Sequence, residues 1–225
     1  RIVCILDEAF DGIASAIASV ERNILNATEI FKSERQSLFL NRRDSRLSTT
    51  LDRIAMNLDS KRIPVTKDAR RAGPYPYYGA SGIVDYVDNF IFDEKTLLIS
   101  EDGANLIARV TPVAFSVSGR YWVNNHAHVL KFWDEITQQL VEHYIESISL
   151  SKFITGAAQP KMTKSALNSI PILLPERPEE RVNMVNRLDA LWNETRRLEI
   201  VYQNKLISLN ALENSLLNNA FSREL

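Results

Sequence analysis

Near the start of the chain, apolar residues recur at alternating steps of three and four. They are Val3, Leu6, Phe10, Ile13, Ile17, Val20, Ile24, Ala27, Phe31 and Leu38, with only Glu34 breaking the series. The same stepping returns 182 residues later at Val185, Leu188, Trp192, Tyr202, Leu206, Leu209, Leu216 and Ala220, interrupted by Thr195, Glu199 and Glu213. Leu6-Asp7 reappears as Leu188-Asp189, and Phe39 as Phe221. A repeat averaging 3.5 residues keeps one stripe facing a partner helix, so the pattern predicts two long coiled-coil arms. The first should run to about Leu40, where Asn41-Arg-Arg-Asp-Ser ends the apolar pattern. The second should begin at Pro178-Glu-Glu, with Pro in the first turn and acids at the positive end of the helix dipole. Both stripes need cover from water, which predicts that the arms pair antiparallel within one chain.

Between the arms the period shortens. Residues 47–72 form an entry segment in which Leu51, Ile54, Met56 and Leu58 alternate loosely, and Gly73-Pro-Tyr-Pro76 is a breaker cluster. Short β-like runs follow at Ile83 to Val87, Thr96 to Ser100, Ile107 to Thr111 and Tyr121 to Val123, separated by glycine-bearing turns. Glu101-Asp-Gly103 reads as such a turn, with Asp stabilising the bend and Gly taking positive φ. Helical spacing returns at Ile136 to Ile148, Gly156 to Lys161 is a loop, Ser165 to Asn168 a short helical turn, and Ile170 to Pro175 an extended exit. The expected class is α+β: a globular domain flanked by two long helices forming an antiparallel coiled coil.

The 225-residue chain has room for one ordinary domain plus the arms, and its composition, 45% hydrophobic and 24% charged, is that of a globular protein. No run approaches the length of a membrane span, and there is no signal-peptide layout, so the expected compartment is cytoplasmic and no membrane partner is expected. The chain opens on Arg, consistent with a fragment. The single cysteine, Cys4, lies beside the first stripe and reads as a small core or interface residue. A net charge of −1 does not advertise a nucleic-acid binder, but its distribution does more. Residues 41–75 hold nine Lys/Arg, among them Arg42, Arg43, Lys61, Arg62, Lys67, Arg70 and Arg71, against four Asp. Such a stretch can meet phosphate by releasing condensed counterions, or serve simply as a solvated linker.

Candidates for catalysis are weak. His126 and His128 form an H-x-H pair without a second ligand cluster at zinc-like spacing, and read as hydrogen-bonding or structural histidines. No phosphate-binding or dinucleotide glycine motif and no nucleophile elbow occurs. The aromatic and amide inventory fits recognition better, since Asn and Gln can pair bidentately with adenine and Arg with guanine.

Four segments resemble the specificity subunit of type I restriction–modification enzymes: Tyr77-Tyr-Gly-Ala-Ser-Gly-Ile-Val-Asp-Tyr with Leu97-Leu-Ile-Ser-Glu-Asp-Gly-Ala-Asn; Trp122-Val-Asn-Asn-His-Ala-His-Val-Leu130; Gly156-Ala-Ala-Gln-Pro-Lys-Met162 leading to Ile170-Pro-Ile; and the two arms, the second ending Ser215-Leu-Leu-Asn-Asn-Ala-Phe-Ser-Arg-Glu-Leu225. The resemblance implies a target-recognition domain (42–177) between spacer helices (1–41 and 178–225), about half of the usual two-domain subunit. It implies a non-catalytic, sequence-specific subunit that reads one half of a bipartite duplex DNA target and docks methyltransferase subunits through its helices. Restriction subunits would join through the complex, a homodimer is possible, and no cofactor is expected, since methyl donor, ATP and magnesium belong to the partners. DNA-contact candidates are Lys61, Arg62, Lys67, Arg70, Arg71, Tyr77, Tyr78, Arg109, Arg120, Asn124 and Gln159. Two other classes stay open: a protein–protein adaptor with oligomerising arms, and a metal-dependent hydrolase using His126, His128 and Glu101.

Overall fold

A computed structural model describes residues 2–40, 46–156 and 158–222. Asn41 to Ser45, predicted to end the first helix and carrying Arg42 and Arg43 of the basic stretch, lies outside the described residues, as do Ala157 and the Arg223-Glu-Leu225 end. The chain divides into two compact units, residues 1–35 with 186–225, and residues 36–185.

The first unit is built from two long helices, α1 (Ile2–Leu40) and α6 (Pro178–Ser222). Thr28 Oγ1 donates to Glu199 at 3.1 Å, the rings of Phe31 and Trp192 lie 5.1 Å apart, and Glu34 faces Arg187 at 3.7 Å. Numbers rise along one helix as they fall along the other, so the pairing is antiparallel. The predicted stripes face inward: Ile13, Val20, Ala27 and Phe31 are buried on α1, Leu188 and Thr195 on α6. Tyr202, Leu206, Leu209 and Leu216 are half-buried. The polar interruption at Thr195 costs little, because its hydroxyl bonds back to the Leu191 carbonyl at 2.9 Å. Two expectations fail locally. Trp192 is 45% exposed, Leu191 taking the more covered position, and Cys4 is exposed, which excludes the core half of its core-or-interface reading. No described helix is long and apolar enough to cross a membrane.

The second unit stacks two four-stranded sheets. One has the order β2 (Ala55–Asn57), β9 (Ala127–Phe132), β6 (Thr96–Ser100), β7 (Ala114–Val117), all antiparallel. The other runs β4 (Gly82–Val87), β3 (Ala72–Gly79), β8 (Arg120–Val123), β5 (Phe92–Asp93), with β3 and β8 parallel. Leu98, Val117 and Val129 from the first sheet meet Phe92, Tyr121 and Val123 from the second in one core. β6 is buried at every residue, because α4 (Glu135–Ser147) packs against the same sheet. Asp134 caps α4 by accepting from Thr137 N–H at 2.7 Å. A two-stranded ribbon pairs β1 (Arg46–Thr49) with β10 (Ile172–Pro175), clipping the entry of this unit to its exit. Short helices α2 (Leu51–Ile54), α3 (Asn105–Ala108) and α5 (Lys164–Asn168) fill the connections.

The strands at 82–87, 96–100 and 120–123 and the helix at 135–147 follow the sequence pattern. Two segments do not. Ile107 to Thr111 is not a strand: α3 ends there on Arg109, which takes φ +49°. The Gly73-Pro-Tyr-Pro76 cluster breaks nothing and lies inside β3. Proline is tolerated because β3 meets its second neighbour, β8, only at Tyr77 and Tyr78, and a register shift between Ala72 and Tyr75 accommodates the rest.

Candidate nucleic-acid interface

The three resembling motifs of the second unit, far apart in sequence, converge on one edge. β3 ends at Gly79 beside the Asn124–His126 turn, where Asn124 N–H donates to Tyr78 O at 3.0 Å. A Cβ at Gly79 would press against Val84 Cγ1 at 3.0 Å and Asn124 Nδ2 at 3.3 Å, so the close approach favours glycine. Ser100 Oγ donates to Ala80 O, tying the β3–β4 turn to the end of β6. Glu101 N–H then donates to His126 O at 2.8 Å, and Gly103 N–H to Pro160 O at 3.0 Å. Gly103 has φ +101°, the expected positive-φ turn. The 156–160 loop closes through reciprocal bonds between Thr155 and Lys161 at 2.9 and 2.8 Å. Its tip residues Gly156, Ala158 and Gln159 are exposed, as is Asn125 of the neighbouring turn.

Beneath this edge lies a charged cluster. Arg62 donates to Glu101 Oε2 at 2.6 Å and to Ala127 O at 2.7 Å, and its other terminal nitrogen lies 3.5 Å from Asp59. Lys161 reaches Glu101 Oε1 at 3.1 Å from the loop. His128, 1% exposed, sets Nδ1 against Asp59 Oδ2 at 2.7 Å and Nε2 against the Met162 carbonyl at 2.8 Å. Asp59 also accepts from Val129 N–H at 2.8 Å. Burial opposes ionisation of Asp59, but the His128 ring and the backbone donor more than offset it and hold the carboxyl below its ordinary value. Glu101 behaves likewise: burial works against its charge, and the bonds from Arg62 and Lys161 with the charge of His128 prevail. Asp59, Glu101 and His128 place ligand-type atoms within 4.8 Å of one another, but the Arg62 guanidinium already sits on Glu101 and beside Asp59. His126 is apart from them, its Nδ1 held by both Asp102 oxygens at 2.9 Å. The hydrolase grouping of His126, His128 and Glu101 is therefore split between two different carboxylate partners.

The eleven candidate contact residues sort by what already occupies them. Arg62 belongs to the cluster just described. Arg109 donates to the carbonyls of Ile145, Glu146 and Ile148 at 2.9 to 3.3 Å, satisfying the open C-terminal end of α4. Asn124 is 7% exposed, with Oδ1 accepting from His126 N–H at 2.8 Å. Tyr77 is buried and its hydroxyl bonds the Val65 backbone, while Tyr78 packs edge-on against Tyr121. These five serve the interior. Arg70 covers the Tyr77 ring at 4.4 Å and pairs with Asp85 at 3.1 Å. Arg120 is exposed, over Phe90 and paired with Asp93, and Lys61 is exposed at 3.8 Å from Glu94. Lys67, Arg71 and Gln159 are exposed. Beside Arg71 a cleft of about 390 Å³ opens between Arg70, Asn89 and Trp122. Sequence reasoning passed over Lys161, and it read Asn125 among the amides suited to base edges without carrying it into the contact candidates. Their placement depends on contacts across the fold, though both lie inside the quoted motifs.

Comparison with known proteins bears on the family and the fold. The type I restriction modification DNA specificity domain matches residues 54–207. A Haemophilus influenzae protein named as a type I restriction enzyme specificity subunit is 33% identical over 146 residues, 64% of this chain and 37% of its own length. Among solved structures, a chain of a type I R-M system studied for complex assembly and conformational transition superposes with a TM-score of 0.78 at 13% identity, over 98% of this chain and 58% of that one. The HsdS subunit of Thermoanaerobacter tengcongensis gives 0.62 at 14% identity, over 100% and 58%. This chain thus spans less than half of the first relative and under two-thirds of the solved subunits, whose likeness is one of fold. With the domain match covering more than half of its residues, the chain belongs to the type I restriction modification DNA specificity domain family.

Proposed function

We propose that this chain recognises duplex DNA by sequence for a type I restriction–modification complex, reading one half of a bipartite target. Residues 42–177 are the target-recognition domain, and the paired helices (1–41 and 178–225) are spacers that dock methyltransferase subunits, with restriction subunits joining through the complex. The chain contributes specificity and no chemistry of its own. The observation that carries this reading is the convergence of the motif segments on one edge, where Gln159 and Asn125 project amides from a tied frame. Amides so held can match the donor–acceptor pattern of a base edge. Lys67 and Arg71, exposed in the basic entry segment, suit phosphate, with Lys61 and Arg120 available by releasing a carboxylate partner.

Selection of bound duplexes from a random pool by the assembled methyltransferase complex tests the proposal. Gln159→Ala should cost about 1–3 kcal/mol of discrimination at one base pair while sparing nonspecific affinity. Replacing Lys67 and Arg71 together by Ala should weaken all sequences alike and lower the salt slope by about 2. A complex that assembles but selects no sequence would leave the adaptor function in its place.

A further inference from the structure

The turn at His126, the base of the 156–160 loop and the entry segment at Arg62 are all fastened to one residue, Glu101. The Glu101 carboxylate receives Arg62 from the entry segment at 2.6 Å and Lys161 from the loop at 3.1 Å, and it faces His128 Nδ1 at 3.7 Å. Its backbone N–H donates to His126 O at 2.8 Å, and its carbonyl accepts from Met162 N–H at 2.7 Å. Met162 in turn offers its carbonyl to His128. The 156–160 loop is therefore gripped at its base, by Gly103, Lys161 and Met162, while the described tip stays exposed. Among the described residues the loop's hydrogen bonds lie at its base, so the placement of its tip follows the groups beneath it.

We propose that Glu101 is a positioning residue for sequence discrimination: its carboxylate, locked from below by Arg62, sets the loop through Lys161 and so aims Gln159. The idea rests on the DNA-recognition function. It predicts that loosening the lock costs discrimination before affinity, since phosphate contacts tolerate displacements that a bidentate base contact does not.

The test uses the full chain in its methyltransferase complex, with the duplex selected from the random pool and single-base-pair variants of it. Glu101→Gln should reduce discrimination about tenfold or more and change nonspecific affinity less than about twofold. Amide exchange at Gly103, Lys161 and Met162 should quicken by about tenfold or more in the absence of DNA. Because Glu101→Gln also takes from Arg62 the nearer of its two carboxylates, Lys161→Met serves as the second variant. It removes only the loop-side partner and should show the same selective loss at an unchanged melting temperature, with rescue by Lys161→Arg. If Lys161 merely touched phosphate, Lys161→Met would lower the salt slope and leave discrimination intact, which overturns the proposal. Wild-type exchange rates in both variants would overturn it as well, as would parallel loss of discrimination, affinity and melting temperature. A wild-type complex that selects no DNA would defeat the recognition function instead, and the exchange rates would still decide whether Glu101 fixes the loop.

Discussion

The helical pair and the sheet unit solve the problem of uniqueness by opposite means. The pair relies on a repeated apolar stripe, with polar contacts between its helices sparse among the described residues. It leaves Ile5, Leu25, Ile200, Ile207 and Phe221 in the open. Each turn of such a seam is a modest, replaceable contribution. The sheet unit has an apolar core too, but it also buries a charged cluster whose members come from positions 59, 62, 101 and 128, with exposed Lys161 reaching it from the surface. None of the four buried members can be removed without weakening the compensation of another. Periodic burial therefore gives tolerance, and the cluster gives one arrangement and fragility with it.

The sharpest contrast should come from one substitution in each unit. Arg62→Met removes the guanidinium shared by Asp59 and Glu101, both only slightly exposed, and is expected to cost about 3–5 kcal/mol. Val20→Ala in the helical stripe shortens a buried side chain that neighbours can partly close around, for about 1–2 kcal/mol. Urea unfolding of a Trp192→Phe background, where fluorescence comes from Trp122 and Trp133 in the sheet unit, follows the sheet unit without the helical pair's signal, and far-ultraviolet circular dichroism follows the helices. Equal losses for the two substitutions would erase the distinction drawn here.

Acid should separate the units next. Asp59 and Glu101 are held below their ordinary values of 3.8 and 4.5, so each stabilises the fold above its unfolded pKa and loses that contribution as pH falls through the folded one. Stability of the sheet unit should be level from neutrality to about pH 5 and decline below about pH 4. Circular dichroism of the helices alongside aromatic signals of the sheet unit during acid titration checks the order of loss. A helical signal that collapses first would contradict it.

The smallest effect concerns a carboxyl outside the cluster. Burial pushes Glu142 upward, its bond from Ser116 being too little to compensate and Glu146 adding repulsion. A raised folded pKa means the ionised form is disfavoured in the fold, so its stabilising contribution belongs to acid and fades as pH rises. Glu142→Gln keeps an acceptor for Ser116 and should be neutral or stabilising by less than about 1 kcal/mol at pH 7. A clear loss in thermal melting at pH 7, shrinking at pH 4, would reverse the assignment.

These differences also explain what could be read in advance. The helices announce themselves because burial repeats every few residues, and only local choices such as Leu191 over Trp192 escape. Strands β4, β6 and β8 show in runs such as Thr96-Leu-Leu-Ile-Ser, buried on both faces. β3 was hidden by its prolines, whose harmlessness depends on how little of β8 lies alongside. The site was legible as motifs but not as roles. Nothing near Asn124 or Arg62 in sequence tells that one holds a turn and the other a carboxylate 39 positions away. Charge identifies a cation, and only the fold shows whether it is spent.

The loop beneath Gln159 has one further consequence, for descent. Gly156 takes φ +85°, and a Cβ there would come within 2.4 Å of the Gln159 carbonyl, so the loop's first residue is fixed by geometry. Its closing pair, the bond from Gly103 and the Met162 bond to the Glu101 carbonyl use backbone atoms, which every residue but proline supplies in full. The side chains at 158 and 159 carry no share of that frame. Mutation can therefore reassign the tip without a folding penalty, and a lineage of such domains can explore new recognition by changing a few codons on an inherited socket.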